Sequence, residues 1–280
     1  MDGLKISKKQ IILILFFSFF TFFGYFLFQN LDSKTKIVFC DVGQGDAAYI
    51  RVKNKVDVLI DAGPDKKVLN CLGKYMPFWD KKIELAFLSH PNKDHYQGFF
   101  FINERYKIER FITVESPFVS PNYKRLIETL KKNQVLILKK FQGDQINILN
   151  DRFLLLWPVV NYFSSENNDY SHLLLFQESD FKALFTGDAS PKILNLITKT
   201  NYVNFIRNIT LIKIPHHGSK NGLTKNFLSI SNPKIAVISV GKNNSYGHPS
   251  NEVLEMLKAQ KVKIKRTDID GSLEFRINNH

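Results

Sequence analysis

His90 and the pair Asp94-His95 stand in SHPNKDH, directly after the apolar run IELAFL. Asp188 ends the segment ALFTGD, the pair His216-His217 ends LIKIPHH, and Asn243, Asn244, Tyr246 and His248 follow AVISVG. Each group comes at the C-terminal end of a strand-like segment, where the loops of a layered α/β fold can converge on one site. Five of the seven histidines fall in these four places, which is not how scattered surface histidines distribute. Imidazole and carboxylate are the usual ligands of a hydrolytic divalent metal, and a two-metal site needs ligands from several elements plus a carboxylate able to bridge. The pattern therefore points to metal-dependent hydrolysis. Taken alone, the H-x-x-x-D-H spacing also suits a loop histidine followed by a helix-capping aspartate. Adjacent side chains on an extended segment point opposite ways, so one of His216 and His217 faces the metal and the residues alone leave open which.

Strand-like runs alternate with helical patterns from Lys36 onward. IVFCDV, AAYIRV and VDVLID read as three closely spaced strands, with Gly43-Gln44-Gly45 and Lys53-Asn54 as turns. IELAFLSH, RFITVE, VLILKK, INILN, RFLLLWPV, SHLLLFQE, KALFTGD, TLIKIPHH, KIAVISVG, KVKIKRT and SLEFRI come after them, with helices predicted at NYKRLIETLKKN, over 191–199 and over 250–259. Pro191 suits a first helical turn, and Ser250 suits an N-cap with Glu252 and Glu255 after it. No repeat and no low-complexity linker breaks the chain, and SSENND (164–169) is a polar loop. One α/β domain with two strand-rich halves, spanning 36–280, is the expected organisation.

Residues 1–35 read differently. Ile11 to Phe28 form an uncharged apolar run of eighteen residues, preceded by Lys5, Lys8 and Lys9. At about 1.5 Å per residue the run spans roughly 27 Å, close to a bilayer's hydrocarbon thickness. It exceeds the usual apolar region of a signal peptide, and Gln29-Asn30-Leu31-Asp32 offers no small-x-small cleavage site. The expectation is one transmembrane helix at the cell membrane, with its basic flank cytoplasmic and the domain outside.

The chain of 280 residues carries a formal charge of +13; residues 1–36 hold five lysines and two acids, so residues 37–280 carry +10. That excess suits a polyanionic partner, nucleic acid or an anionic membrane surface. Two cysteines cannot build a disulfide scaffold, and neither Cys40 nor Cys71 lies in a C-x-x-C pair, which argues against a thiolate zinc site. No aromatic-interleaved platform for single strands stands out.

The segments FCDVGQGDA, LIDAG, SHPNKDH, FTGD, PHHGS, SVGKNNSYGHPS and RTDIDG, in this order from residue 39 to 271, give the chain a family likeness. It resembles metallo-β-lactamase-fold hydrolases, and more narrowly the nuclease-like domain of ComEC-type DNA-uptake proteins. The resemblance implies a four-layer αββα sandwich with the site at one edge of its two sheets. It implies His90, Asp94, His95 and Asp188 as metal ligands, with Asp188 bridging. It favours His217 as the fifth, leaving His216 to contact the scissile phosphate. His248 is a further phosphate-binding or proton-donating candidate, or else a turn histidine; Asp61 and Asp46 either orient ligands or merely brace loops. Lys220, Asn244 and Tyr246 lie in or next to the site loops as candidates either to support the ligands or to contact substrate. Asn92 and Asn167 stand where the wider superfamily has histidines. Amide oxygen is a harder and weaker ligand than imidazole, which moves the site from tight zinc toward manganese or magnesium. The expected cofactor is one or two divalent ions, Mn²⁺ or Zn²⁺, with Mg²⁺ admitted. One strong position comprises Asp94, His95, Asp188 and His217, and a weaker one shares His90 and Asp188.

The expected activity is metal-dependent phosphodiester hydrolysis of nucleic acid, DNA before RNA, outside the cytoplasm and tied to DNA uptake. His216 or His248 would supply a hydrogen bond or proton to the leaving oxygen. The alternatives are an esterase acting on a small or lipid-linked phosphate ester, and a non-catalytic DNA-binding module of a channel complex. DNA-uptake relatives carry a multi-helix channel, so a separate channel protein is an expected partner.

Overall fold

The computed structural model describes the backbone of residues 7–31 and 34–277, with the side chains of 25–31 outside the description. Helix α1 (Lys8–Leu31) precedes everything else, and Ile11 to Phe23 expose their apolar side chains along it. Among the described residues no helix is long and apolar enough to cross a membrane. Residues 25–28 of the expected anchor lie outside the described side chains. The structure therefore does not carry the expectation of a transmembrane helix.

Among the described residues, fourteen strands form two sheets. The first contains β1 (Thr35–Phe39), β2 (Ala48–Val52), β3 (Val56–Ile60), β4 (Lys82–Phe87), β5 (Lys107–Thr113) and β6 (Leu136–Lys139). The second contains β7 (Gln145–Ile148), β8 (Asp151–Trp157), β9 (Leu173–Glu178), β10 (Phe181–Phe185), β11 (Leu211–Lys213), β12 (Ile235–Ile238) and β13 (Lys263–Arg266). The last strand, β14 (Leu273–Ile277), returns to the first sheet and pairs antiparallel with β1, Ile277 opposite Thr35. The orders are β14-β1-β2-β3-β4-β5-β6 and β13-β12-β11-β10-β9-β8-β7.

Period-two alternation decides how the sheets stack. Ile37 and Phe39 of β1, Val58 and Ile60 of β3, and Leu85 and Phe87 of β4 meet Phe153, Leu155, Leu174, Phe176 and Phe185 of the second sheet in one central core. Their neighbours Val38, Leu59 and Ala86 face the other way, toward α2 (Lys67–Tyr75), α4 (Gly98–Asn103), which comes after the short α3 (Lys93–Tyr96), and α5 (Pro121–Lys132). The outer face of the second sheet packs Leu175, Leu184, Ile212 and Ala236 against α6 (Pro191–Ile197), α7 (Lys225–Ser231) and α8 (Asn251–Ala259). The result is an αββα sandwich. Serine caps hold three of the outer helices: Ser120 accepts from the Tyr123 amide, Ser190 from Ile193 and Ser250 from Val253.

Cys40 and Cys71 are disulfide-bonded, joining the residue after β1 to α2. Sequence spacing had no means of pairing them, since their separation of 31 residues is closed only by packing α2 onto the first sheet.

Candidate metal centre

The groups singled out from the sequence gather at one edge of the sandwich, and both sheets deliver them. The first sheet contributes Asp46 from the β1–β2 loop, Asp61 just after β3, His90 from the loop after β4, and Asp94 and His95 from α3. The second contributes Asp188 after β10, His216 and His217 in a turn after β11, and His248 in the loop after β12. Main-chain bonds stitch the first group together: the Asp46 amide donates to Asp94 O (3.2 Å), Gly63 to Asp46 O (2.8 Å) and Ala62 to His95 O (2.8 Å). Such close approach requires glycine at 45 and 98. A Cβ on Gly98 would lie 1.9 Å from Ala62 O, and one on Gly45 2.4 Å from Asp94 O.

Ligand-capable atoms of Asp94, His95, Asp188 and His217 all lie within 4.8 Å of one another. His217 Nε2 stands 3.2 Å from Asp94 Oδ2 and 3.6 Å from Asp188 Oδ2, and His95 Nε2 stands 3.4 Å from the same Asp188 oxygen. The opposite ring nitrogens are engaged. His95 Nδ1 donates to Asp61 Oδ2 at 2.9 Å, and Asp61 Oδ1 in turn accepts from the Ser89 amide at 2.7 Å. His217 Nδ1 donates to Ser239 O at 2.9 Å. Both rings are thus locked with Nε2 aimed into the cluster. His90 is fully buried with its ring centroid 4.3 Å from that of His95. The buried Nε2 atoms of His90 and His95 and Oδ1 of Asp188 have no hydrogen-bond partner among the described residues. Two imidazoles and two carboxylates converging on one point, with buried nitrogens left over, fit a divalent cation.

The protonation states of the metal-free cluster arise from its crowding. Burial resists the charge on Asp188, but His217 and His95 outweigh it and hold the carboxyl well below its ordinary range. Burial likewise opposes a charged His217, yet Asp188 and Asp46 push its pKa up to about 10, and His95 is raised well above the usual value in the same way. His90 is the opposite case: burial, aided by the charge on His95, depresses it to about 3, so it stays neutral.

His216 and His217 both have left-handed backbones, at φ 51° and 53°. The expectation of an extended pair with alternating side chains fails here, since two successive strained residues at about 1–2 kcal/mol each turn the chain instead. The outcome still separates them: His217 joins the cluster and His216 does not. His216 instead packs 5.8 Å from the ring of His248, whose backbone is braced by Asn244. Asn244 spends both ends of its amide inside this loop, donating to Gly241 O and His248 O and accepting from the Tyr246 and His248 amides, so it braces the loop that carries His248. Asn92 and Asn167 hydrogen-bond to each other beside His90. Lys220 and Tyr246 border a groove next to His248.

One residue escaped the sequence reading. Lys213, the last residue of β11, is 3% exposed, and its ammonium touches Asp46, Gly187 O at 2.8 Å and Asp188 Oδ1 at 3.6 Å. Burial opposes its charge, but Asp46 and Asp188 raise its pKa. The signal was available: a single lysine inside LIKIPHH, otherwise apolar up to the histidines.

No protein-family model matches the chain. Over 274 residues it is 27% identical to ComE operon protein 3 of Bacillus subtilis, covering 91% of this chain and 34% of that protein. Over 257 residues it is 27% identical to Recombination protein 2 of Haemophilus influenzae, covering 90% of this chain and 30% of that protein. The chain therefore spans about a third of the length of these curated relatives. The metallo-β-lactamase-fold protein YhfI of Bacillus subtilis superposes with a TM-score of 0.60 at 10% identity, covering 87% of this chain and all of that one. The two stacked sheets are thus the metallo-β-lactamase fold, in a chain whose sequence resembles part of the ComEC-type competence proteins.

Proposed function

We propose that this protein is a metal-dependent phosphodiesterase that cleaves the nucleic-acid backbone, DNA before RNA, in support of DNA uptake. The observation that carries this reading is the buried group Asp94, His95, Asp188 and His217, with both imidazole Nε2 atoms held toward a common point. These four residues would hold the principal cation, with His90 and Asp188 on a second, weaker position. A divalent ion there supplies Lewis acidity, acidifying water and offsetting the charge of a phosphoryl group. Asp61 and Ser239 O fix the two rings, Lys213 balances Asp46 and Asp188, and His216 and His248 stand beside the cluster, where one can hydrogen-bond to or protonate a leaving oxygen. The +10 charge from residue 37 onward favours a polyanionic substrate over a small ester. The disulfide Cys40–Cys71 suits an oxidising compartment, which agrees with a domain outside the cytoplasm. A separate channel protein would then carry the strand inward.

Purified protein supplied with Mn²⁺ is expected to cleave DNA, and Asp94→Ala and Asp188→Ala each to abolish cleavage. Undiminished cleavage in both variants overturns the assignment. Hydrolysis of a small phosphate diester with no attack on polynucleotides moves the function to the esterase alternative.

A further inference from the structure

A continuous line of uncharged residues runs beside the metal cluster, joined at its Phe118 end through the main-chain amide and elsewhere through side chains. The Phe118 amide donates to Ser116 Oγ (3.1 Å), and Ser116 Oγ donates to Asn167 Oδ1 (3.2 Å). Asn167 donates to Asn92, Asn92 donates to Asn168 Oδ1 (3.3 Å), and Asn168 Nδ2 meets His216 Nδ1 (3.5 Å). From His216 the line passes to His248, ring centroids 5.8 Å apart, and then to Tyr246, whose ring stacks on His248 at 5.7 Å with planes 25° apart. Its middle members adjoin the cluster, Asn92 two residues before Asp94 and His216 next to His217. Its two ends are aromatic and open to solvent: Phe118 is 38% and Tyr246 69% exposed. Each end borders a groove, of about 550 Å³ at Phe118 and about 770 Å³ at Tyr246.

We infer that this rim is a track for single-stranded nucleic acid, with the scissile phosphate over the metal cluster and a base stacked at each end, on Phe118 and on Tyr246. Amides, hydroxyl and imidazoles along the rim offer donors and acceptors to a strand, and Lys93 and Lys220 line its two end grooves, where they can hold backbone phosphates. An exposed aromatic ring at each end needs a base with a free face, and a duplex keeps those faces stacked inside. The sequence hid this platform because Phe118 and Tyr246 are 128 positions apart and belong to different sheets' loops.

The inference rests on the phosphodiesterase reading, and the test separates the two. The full chain with Mn²⁺ is assayed on a single-stranded oligothymidylate, on its duplex with oligoadenylate, and on bis(p-nitrophenyl) phosphate. The parent is expected to favour the single strand over the duplex by about tenfold or more in kcat/KM. Phe118→Ala and Tyr246→Ala are each expected to raise KM for the single strand by about tenfold with kcat less affected, the two losses multiplying in the double variant, and Tyr246→Trp to restore the affinity. KM within about twofold of the parent in both alanine variants, or a duplex cut as readily as the single strand, overturns the track while cleavage itself leaves the phosphodiesterase standing. A parent inert on all three substrates overturns both.

Discussion

Lys213 is the residue on which the metal-free centre balances, and Lys213→Met isolates it, since methionine keeps the volume and removes the charge. Asp46, the carboxylate it touches, is 5% exposed and otherwise faces His217 Nδ1 at 3.4 Å and His95 Nδ1 at 3.7 Å. Removing one partner of a buried pair costs about 3–5 kcal/mol, because the remaining charge stays buried. At a urea slope of about 2.5 kcal/mol per M, a loss of about 4 kcal/mol lowers the unfolding midpoint by roughly 1.5 M. The assay is urea denaturation of metal-free protein followed by tryptophan fluorescence, run as a double-mutant cycle with Asp46→Asn. The double variant should recover at least about 2 kcal/mol of the summed single losses, because it removes both charges together. Metal affinity should move the other way: with the ammonium 3.6 Å from Asp188 gone, the carboxylate binds Mn²⁺ more tightly, so added metal narrows the stability gap. A single-variant loss below about 1 kcal/mol, or strictly additive losses, would refute the balance argument.

Three further outcomes are expected. Because acids hold His95 and His217 protonated in the metal-free centre, Mn²⁺ binding at neutral pH should release about two protons, measured by calorimetry in buffers of different ionisation enthalpy; release of none contradicts the ligand set. The disulfide closes a segment of 31 residues, so replacing Cys40 and Cys71 with serine should cost roughly 3.5 kcal/mol in denaturant titrations, and equal midpoints with and without reductant would count against the bond. Buried His172, whose Nε2 donates to Lys140 O, has its pKa lowered by burial from 6.5 to about 4. The unfolded chain then binds the extra proton between those values, so the contribution of His172 to stability falls by about 3 kcal/mol as pH drops from 6.5 to 4, and His172→Gln should shift the pH slope of stability by about one proton.

The strands were legible because alternation is a local property: VDVLI, IELAF, FLLLW and KALF all lie where their pattern put them. So was the convergence of SHPNKDH, FTGD and PHHGS, since polar residues at the ends of apolar strands of one sandwich have few places to go. What stayed hidden depends on tertiary placement. The pairing of β14 with β1, the Cys40–Cys71 bond and the burial of Lys213 each join segments that no local pattern links. The His216-His217 turn was misread because a left-handed backbone at two non-glycine residues runs against local preference and is held by the surrounding fold.

The division of the ligands between two sheets also sets a schedule. Asp94 and His95 leave the ribosome 123 and 122 residues before His217, which at about 5–20 residues per second is roughly 6–25 s. The first sheet waits longer still, because its rim strand β14 is the last to be made. No partly made chain offers all four ligands until His217 has emerged, so loading comes late in the making of the fold. Affinities for first-row ions rise in much the same order at any such site, and availability decides among them. A divalent ion held by these four residues would therefore be chosen by the compartment in which folding finishes.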